Sequence, residues 1–235
     1  MTFQGSKEKH SKYIVPLIQQ YINNNDVSTF IDCCCGGCNI IKYIKAPQRI
    51  AIDNDPYLIA LWQFLQDNPN YEFPPYPSKE TWDNCKSHRE TDDWFIGLVS
   101  IFCSNLAGGF PAGYDKTGSR YNGRIKHCKA DLPLLKDVKF ICKDYHYLSN
   151  FNNCVIYIDP PYAKKHQYNY EIFNTQEFWK FSREISKNNY VFISEQEAPN
   201  DFQSIWSITS ERNMRGKTSI LTENLYIYKD SLINI

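Results

Sequence analysis

Short apolar runs that end in an acid or a glycine pair constrain the fold of this chain more than any other feature. TFID (29–32) leads into CCCGGC (33–38), and RIAID (49–53) ends on Asp53. The spacing predicts a strand, a glycine turn, a helix starting in NIIKYI (39–44), a second strand closed by an acid, and an amphipathic helix over PYLIALWQFLQ (56–66) with Pro56 in its first turn. That order opens a doubly wound α/β sheet. VKFICKDY (138–145), CVIYIDPPY (154–162) and YVFISE (190–195) read as further strands, with helices over 8–23 and 177–187. The last stretch reads as β structure around a basic turn, 212–217.

Residues 67–135 break the rhythm. They begin with the proline-rich YEFPPYPSKE, continue through a helical run around WFIGLVSIFC, and end in NLAGGFPAGYDKTGSRYNGRIKHCK, which reads as loop. The expectation is therefore one α/β domain, residues 1–66 and 136–235, interrupted by a helical and loop-rich insertion. Within 116–129 stand Lys116, Arg120, Arg124, Lys126, His127 and Lys129 with no acid. Taken alone, such a run is a solvated surface. The chain carries 26 Lys and Arg against 26 Asp and Glu, so any nucleic-acid footprint is local. No run approaches the length of a membrane span. Nine cysteines behind a polar start, with no secretory leader, read as reduced thiols of a cytoplasmic protein.

Four of those cysteines crowd into FIDCCCGGCNI (30–40). A structural zinc site needs two close pairs. Cys35 and Cys38 supply one, but the remaining cysteines are scattered. A redox Cys-x-x-Cys would open a helix in a thioredoxin-like unit, and nothing else in the chain suggests one. The reading that remains is a glycine turn, Gly36–Gly37, with cysteine as a small buried hydrophobe and no metal. The phosphate-cradling and dinucleotide fingerprints are both absent. Asp32 before the turn and Asp53 after the second strand suit a ligand with an ammonium group and ribose hydroxyls, which S-adenosylmethionine has.

IDPPY (158–162) says most about chemistry. Asp159 follows an apolar strand at the edge where open α/β sheets hold ligands. Pro160 keeps Asp159 out of the helical region, and Pro161 stiffens the turn. An exocyclic adenine amine is a poor nucleophile, because its lone pair is delocalised into the ring. Asp159 can accept one of its N–H bonds and the Pro160 carbonyl the other, and Tyr162 can stack on a base flipped out of a duplex. An ordinary proline turn would use the same letters.

Taken together, these segments resemble the DNA adenine-N6 methyltransferases of the Dam/D12 class, α group, with a DPPY motif, especially the phage-type members. GSKEKHSKYIVPLIQQYI resembles the family's first cofactor segment, FIDCCCGGCNI its glycine motif, AIDNDPYLIALW its ribose-binding motif and FICKDY its adenosine-contacting segment. VFISEQEAP and ENLYIY resemble its later strands. The resemblance implies a Rossmann-like S-adenosylmethionine-dependent methyltransferase fold with the insertion as target-recognition region. It implies a cofactor pocket of Phe3, Gly5, Lys7, Asp32, Gly36, Gly37, Asp53, Asp144, Tyr145 and Asp159, and a catalytic set of Asp159, Pro160, Pro161 and Tyr162. It implies double-stranded DNA, with a flipped adenine, bound through Lys116, Arg120, Arg124, Lys126, Arg212, Arg215 and Lys217. A partner restriction endonuclease is a further possibility of the class. The family motif usually has an aromatic residue where Cys34 stands and a small residue or glycine where Cys38 stands. RNA adenine or cytosine N4 as target, and a DNA- or zinc-binding protein without catalysis, are the competing readings.

Overall fold

The computed structural model describes residues 5–87, 92–161, 173–214 and 217–232, with backbone alone for 211–214 and 217–219. The described helices are α1 Glu8–Asn24, α2 Pro56–Asp67, α3 Lys79–Lys86, α4 Asp93–Phe102, α5 Tyr121–Asp131 and α6 Thr175–Ile185. The described strands are β1 Thr29–Cys33, β2 Gln48–Asp53, β3 Val138–Cys142, β4 Val155–Ile158, β5 Tyr190–Glu195, β6 Phe202–Met214 and β7 Lys217–Tyr228. They form one sheet in the order β3-β2-β1-β4-β5-β7-β6. β1 to β5 are parallel, and β7 runs antiparallel between β5 and β6. The direction of winding reverses between β1 and β4, the switch point at which such sheets bind ligands. The expected α/β architecture is present.

The central strands β1, β4 and β5 are nearly continuous apolar runs because helices cover both faces. Side chains alternate between the two cores. Phe30, Ala51, Phe140, Val155, Tyr157, Phe192, Leu225 and Ile227 face α1, α2 and α4. Ile31, Ile50, Ile52, Ile156, Ile158, Val191 and Ile193 face α6. This two-residue period also decides where the polar residues at the strand ends point.

Two sequence expectations are corrected. NIIKYI does not start a helix but makes a short 3-10 turn, Ile41–Tyr43. Pro47 closes the connection, and the residue before a proline is held extended, so no room is left for a full helix. The segment read as basic loop contains helix α5. Its buried stripe, Tyr121, Arg124, Cys128 and Asp131, has helical spacing but includes two charged residues, which hid the pattern.

The buried side chains described in the insertion, Trp82, Ile96 and Phe102 among them, join the core on the α1–α2 face. α4 lies across α2, and Phe64 stacks on Trp94 with ring centroids 3.8 Å apart. Gly97 is where the two helices come closest: a Cβ there would sit 2.2 Å from the Tyr57 carbonyl oxygen. Gly to Ala inside a helix normally gains about 1 kcal/mol. Here the obstacle is backbone, and overpacking of roughly 1–3 kcal/mol opposes that gain. Gly97→Ala is expected to lower the melting temperature in a thermal scan; an unchanged or higher value would contradict this close contact.

Candidate functional site

The site sits at the carboxyl edge of β1, β2 and β4, and the alternation of the strands builds it. Asp32 shares a face with Phe30, Asp53 with Ala51, Asp159 with Val155 and Tyr157, and Ser194 with Phe192. All therefore point to the α1–α2 side. Asp159 begins where β4 ends, and its N–H donates to the Cys33 carbonyl across the switch point at 3.2 Å. The Tyr157 and Ser194 hydroxyls lie 2.8 Å apart beneath it. β7 runs opposite to β5, with Asn224 against Glu195, so the part of β7 before Asn224 projects past the carboxyl edge. Glu223, two residues before the buried Leu225, turns to the same face.

Among the described residues, one buried lysine joins this group. Lys7, just before α1, is 4% exposed; its Nζ lies 2.7 Å from Asp159 Oδ1 and 3.2 Å from Glu223 Oε1. Burial alone would lower the Lys7 pKa; the Asp159 and Glu223 carboxylates outweigh it and raise the pKa. Burial drives the Asp32 carboxyl well above its ordinary range, against one hydrogen bond from Ile41 N–H at 3.2 Å. Burial likewise lifts Asp53 to about 6, although Gly36 N–H and Asp55 N–H both donate to it. Glu195, at the end of β5 beside a 280 Å³ cavity, is raised by burial to about 7. With the ammonium of Lys7 already engaged by Asp159 and Glu223, the edge around Asp32 and Asp53 suits a cationic ligand that also carries hydroxyls.

The cysteine run is a sharp turn with φ of +59° at Cys34, +46° at Gly36 and +55° at Cys38. Left-handed backbone at the two cysteines costs roughly 1–2 kcal/mol each. Tertiary bonds offset it: Cys35 N–H to Ile52 O at 3.0 Å, Gly36 N–H to Asp53 Oδ2 at 3.0 Å, and the Trp62 indole N–H to Gly36 O at 3.0 Å. Cys33, Cys35 and Cys38 are buried. Thiol–thiol hydrogen bonds, with burial, push the Cys34 and Cys35 thiols well up. No group of three or more His, Cys, Asp and Glu among the described residues has the geometry to hold a metal ion.

The structure brings Lys7, Asp32, Gly36, Asp53 and Asp159 together. Gly37 is buried in the turn beside Gly36. Gly5 has φ +83° and is exposed; from the next residue, Ser6 Oγ accepts from the Asn39 amide at 2.8 Å, tying this segment to the glycine turn. Asp144 is exposed beyond β3 and accepts from His146 N–H at 2.8 Å. Tyr145 stands next to it, edge-on to Phe173, Phe178 and Phe181, its hydroxyl pushed up to about 12 by burial. Pro160 is buried and Pro161 exposed. Phe3, Tyr162 and Arg215 lie outside the described residues. Arg212 and Lys217 stand near the tip of the β6–β7 ribbon, described by backbone alone.

Lys116, Arg120 and Lys126 are exposed, as a binding surface requires. Arg124 is a correction. It is 3% exposed, and its Nη1 donates to the carbonyls of Phe102 at 2.7 Å and Ser104 at 2.8 Å. It caps the end of α4 and is withdrawn from any external partner. Sequence reading missed Glu223 altogether. The signal was present, since Glu223 continues the inward phase of Leu225 and Ile227, but an acid in an apolar phase looks like a strand end.

No curated protein matches the chain significantly. Among solved structures, the chain is similar to the precorrin 8W decarboxylase of Methanobacterium thermoautotrophicum, at 10% identity over 90% of this chain and 88% of that one, with a TM-score of 0.34. It is similar to a putative methylase of Haemophilus influenzae at 11% identity over 94% and 98%, with a TM-score of 0.34. The family model described as D12 class N6 adenine-specific DNA methyltransferase matches residues 102–223, more than half of the chain and including β4, Asp159 and Glu223. The chain belongs to the D12 class N6 adenine-specific DNA methyltransferase family, and is a methyltransferase.

Proposed function

We propose that this methyltransferase moves a methyl group from S-adenosylmethionine to N6 of a flipped adenine at a specific site in double-stranded DNA. The observation that carries the reading is the placement of Asp159: at the switch point, its backbone bonded to β1, its carboxylate 2.7 Å from the Lys7 ammonium, on the face that holds Asp32 and Asp53. The donor set fits the cofactor. Two buried carboxyls whose charge is disfavoured by their surroundings gain from a cation and from hydroxyl donors. Asp53 serves the ribose hydroxyls and Asp32 the cationic end. The Gly36–Gly37 turn lets the ligand approach the backbone, and Phe3, Gly5, Lys7, Asp144 and Tyr145 complete the pocket. When bound, the cofactor supplies a methyl group on a sulfonium, a ready electrophile.

The chain's own residues orient the amine. Asp159 accepts one N6–H and the Pro160 carbonyl the other, which turns the nitrogen lone pair toward the methyl carbon. Pro161 keeps this turn stiff, and Tyr162 stacks on the base. With the donor bound, the N6–methyl bond would form as the carbon–sulfur bond breaks, the electron pair staying on the thioether sulfur and the surplus N6 proton passing to water. Orientation of two bound reactants supplies much of the rate. The β6–β7 ribbon projects from the same edge. From Glu223 to Lys217 it reaches about 20 Å at 3.4 Å per residue, which carries Arg212 and Lys217 outward to phosphates, and Arg215 is proposed as a further phosphate contact. Lys116, Arg120 and Lys126 add phosphate contacts from the insertion.

The reading is tested with labelled S-adenosylmethionine and unmethylated duplex DNA, with RNA and single strands as competitors. N6-methyladenine is the expected product, and Asp159→Ala should lower the rate by at least about a hundredfold, the scale for losing one transition-state hydrogen-bonding group. Undiminished transfer by Asp159→Ala would remove the catalytic assignment. The pH dependence of cofactor binding follows from Asp53. Its carboxylate is the binding form, and it protonates as pH falls through about 6. Affinity for S-adenosylhomocysteine, measured by calorimetry, should be about tenfold weaker at pH 5 than at pH 7, and the dependence should flatten in Asp53→Asn. Affinity that rises toward low pH would contradict this role.

A further inference from the structure

The carboxylate that holds the target amine is also the partner of a lysine. Lys7 Nζ lies 2.7 Å from Asp159 Oδ1, so one oxygen of Asp159 is already engaged by a full positive charge. A carboxylate bound tightly to an ammonium is a poorer acceptor for a neutral amine than one whose counter-charge is shared. On its other side the same Nζ lies 3.2 Å from Glu223 Oε1. Glu223 is 5% exposed, in a protein where an unneeded buried carboxylate would be costly. Two constraints fix its position. The alternation that buries Leu225 turns Glu223 to the face of Asp159, and the pairing of Glu223 with Ile208 holds the strand as β7 leaves the sheet.

We infer that Glu223 is a positioning residue for methyl transfer: it shares the Lys7 ammonium with Asp159 and so sets how much of the Asp159 carboxylate is left for the target amine. This rests on the reading of Asp159 as the amine's acceptor. Glu223 touches neither base nor cofactor in this scheme and acts through Lys7; the other titratable groups that face this pair are His10, Glu195 and Tyr157. It also joins two parts of the molecule, because the strand that carries it continues into the basic ribbon.

The test compares wild type, Glu223→Gln, Glu223→Asp, Lys7→Met and the Lys7→Met/Glu223→Gln pair in single-turnover methyl transfer to duplex DNA, with rates scaled to folded protein. In Glu223→Gln, Lys7 keeps its burial but loses one of the carboxylates that hold its charge. The rate at neutral pH should fall at least about tenfold, and its alkaline limb should move down by about one pH unit or more. Affinity for S-adenosylhomocysteine should change less than about threefold. Glu223→Asp, which keeps the charge, should recover part of the rate and leave the limb in place. On the Lys7→Met background, Glu223→Gln should change the rate little, as expected of residues that act as a unit. A purely structural Glu223 would lower stability yet leave the scaled rate and the pH profile unchanged, and would add its full effect on the Lys7→Met background; either result overturns the inference. Should Glu223→Gln not fold, Glu223→Asp with a displaced limb, or no better than Lys7→Met, also overturns it. If the wild type makes no N6-methyladenine, the methyl-transfer reading falls and takes the inference with it. If the wild type methylates and Glu223→Gln matches it, the inference alone falls.

Discussion

One buried ammonium organises the carboxyl edge of this sheet. Lys7 Nζ stands between Asp159, which follows β4, and Glu223 on β7, and it comes from the residue that precedes α1. Charges so far from water are tolerated only in such company, and removing one partner of a buried pair typically costs about 3–5 kcal/mol. The contact therefore does two things. It fixes the amino-terminal segment over the switch point, and it places an ammonium against the Asp159 carboxylate at the end of β4. A second buried lysine repeats the device at the same end of α1. Lys42 binds Glu8 at 2.6 Å and Asp131 at 2.9 Å, locking α1 and α5 to the connection after β1.

The rest of the site follows from the pleat. A strand buried on both faces gives each core every second residue, so an acid at the end of an apolar run faces one side or the other by parity alone. Asp32, Asp53, Asp159 and Glu223 all fall on the α1–α2 side. This side is also where the insertion docks, through α4 on α2 and the close approach at Gly97. The carboxyl edge that holds these acids and the insertion thus share one core. The other face, sealed by α6, carries Glu195, Trp179 and their cavity, with one carboxyl poised to titrate near neutrality.

What could be read from the sequence was what local pattern determines. The strands ending at Asp32, Asp53 and Asp159 were legible because each is an apolar run closed by a residue that cannot continue it. The glycine turn was legible too, and its cysteines behave as small buried side chains. Three features resisted for physical reasons. α5 hides its helical stripe behind Arg124 and Asp131, whose burial depends on partners distant in sequence. The 3-10 turn at Ile41 answers to Pro47 and to the Asp32 carboxylate, which only the folded chain brings to it. Glu223 gains its meaning from Lys7, more than two hundred residues away in the chain. Local propensity has no view of such pairs.

If cofactor and target meet on the α1–α2 side of the switch point, Asp32, Asp53 and Asp159 must line the bound ligand. The most direct measurement is a crystal structure with S-adenosylhomocysteine bound. The account expects its ribose against Asp53 and its amino-acid end near Asp32, with Lys7 still between Asp159 and Glu223. Density on the α6 side, or a ligand that touches none of Asp32, Asp53 and Asp159, would contradict it.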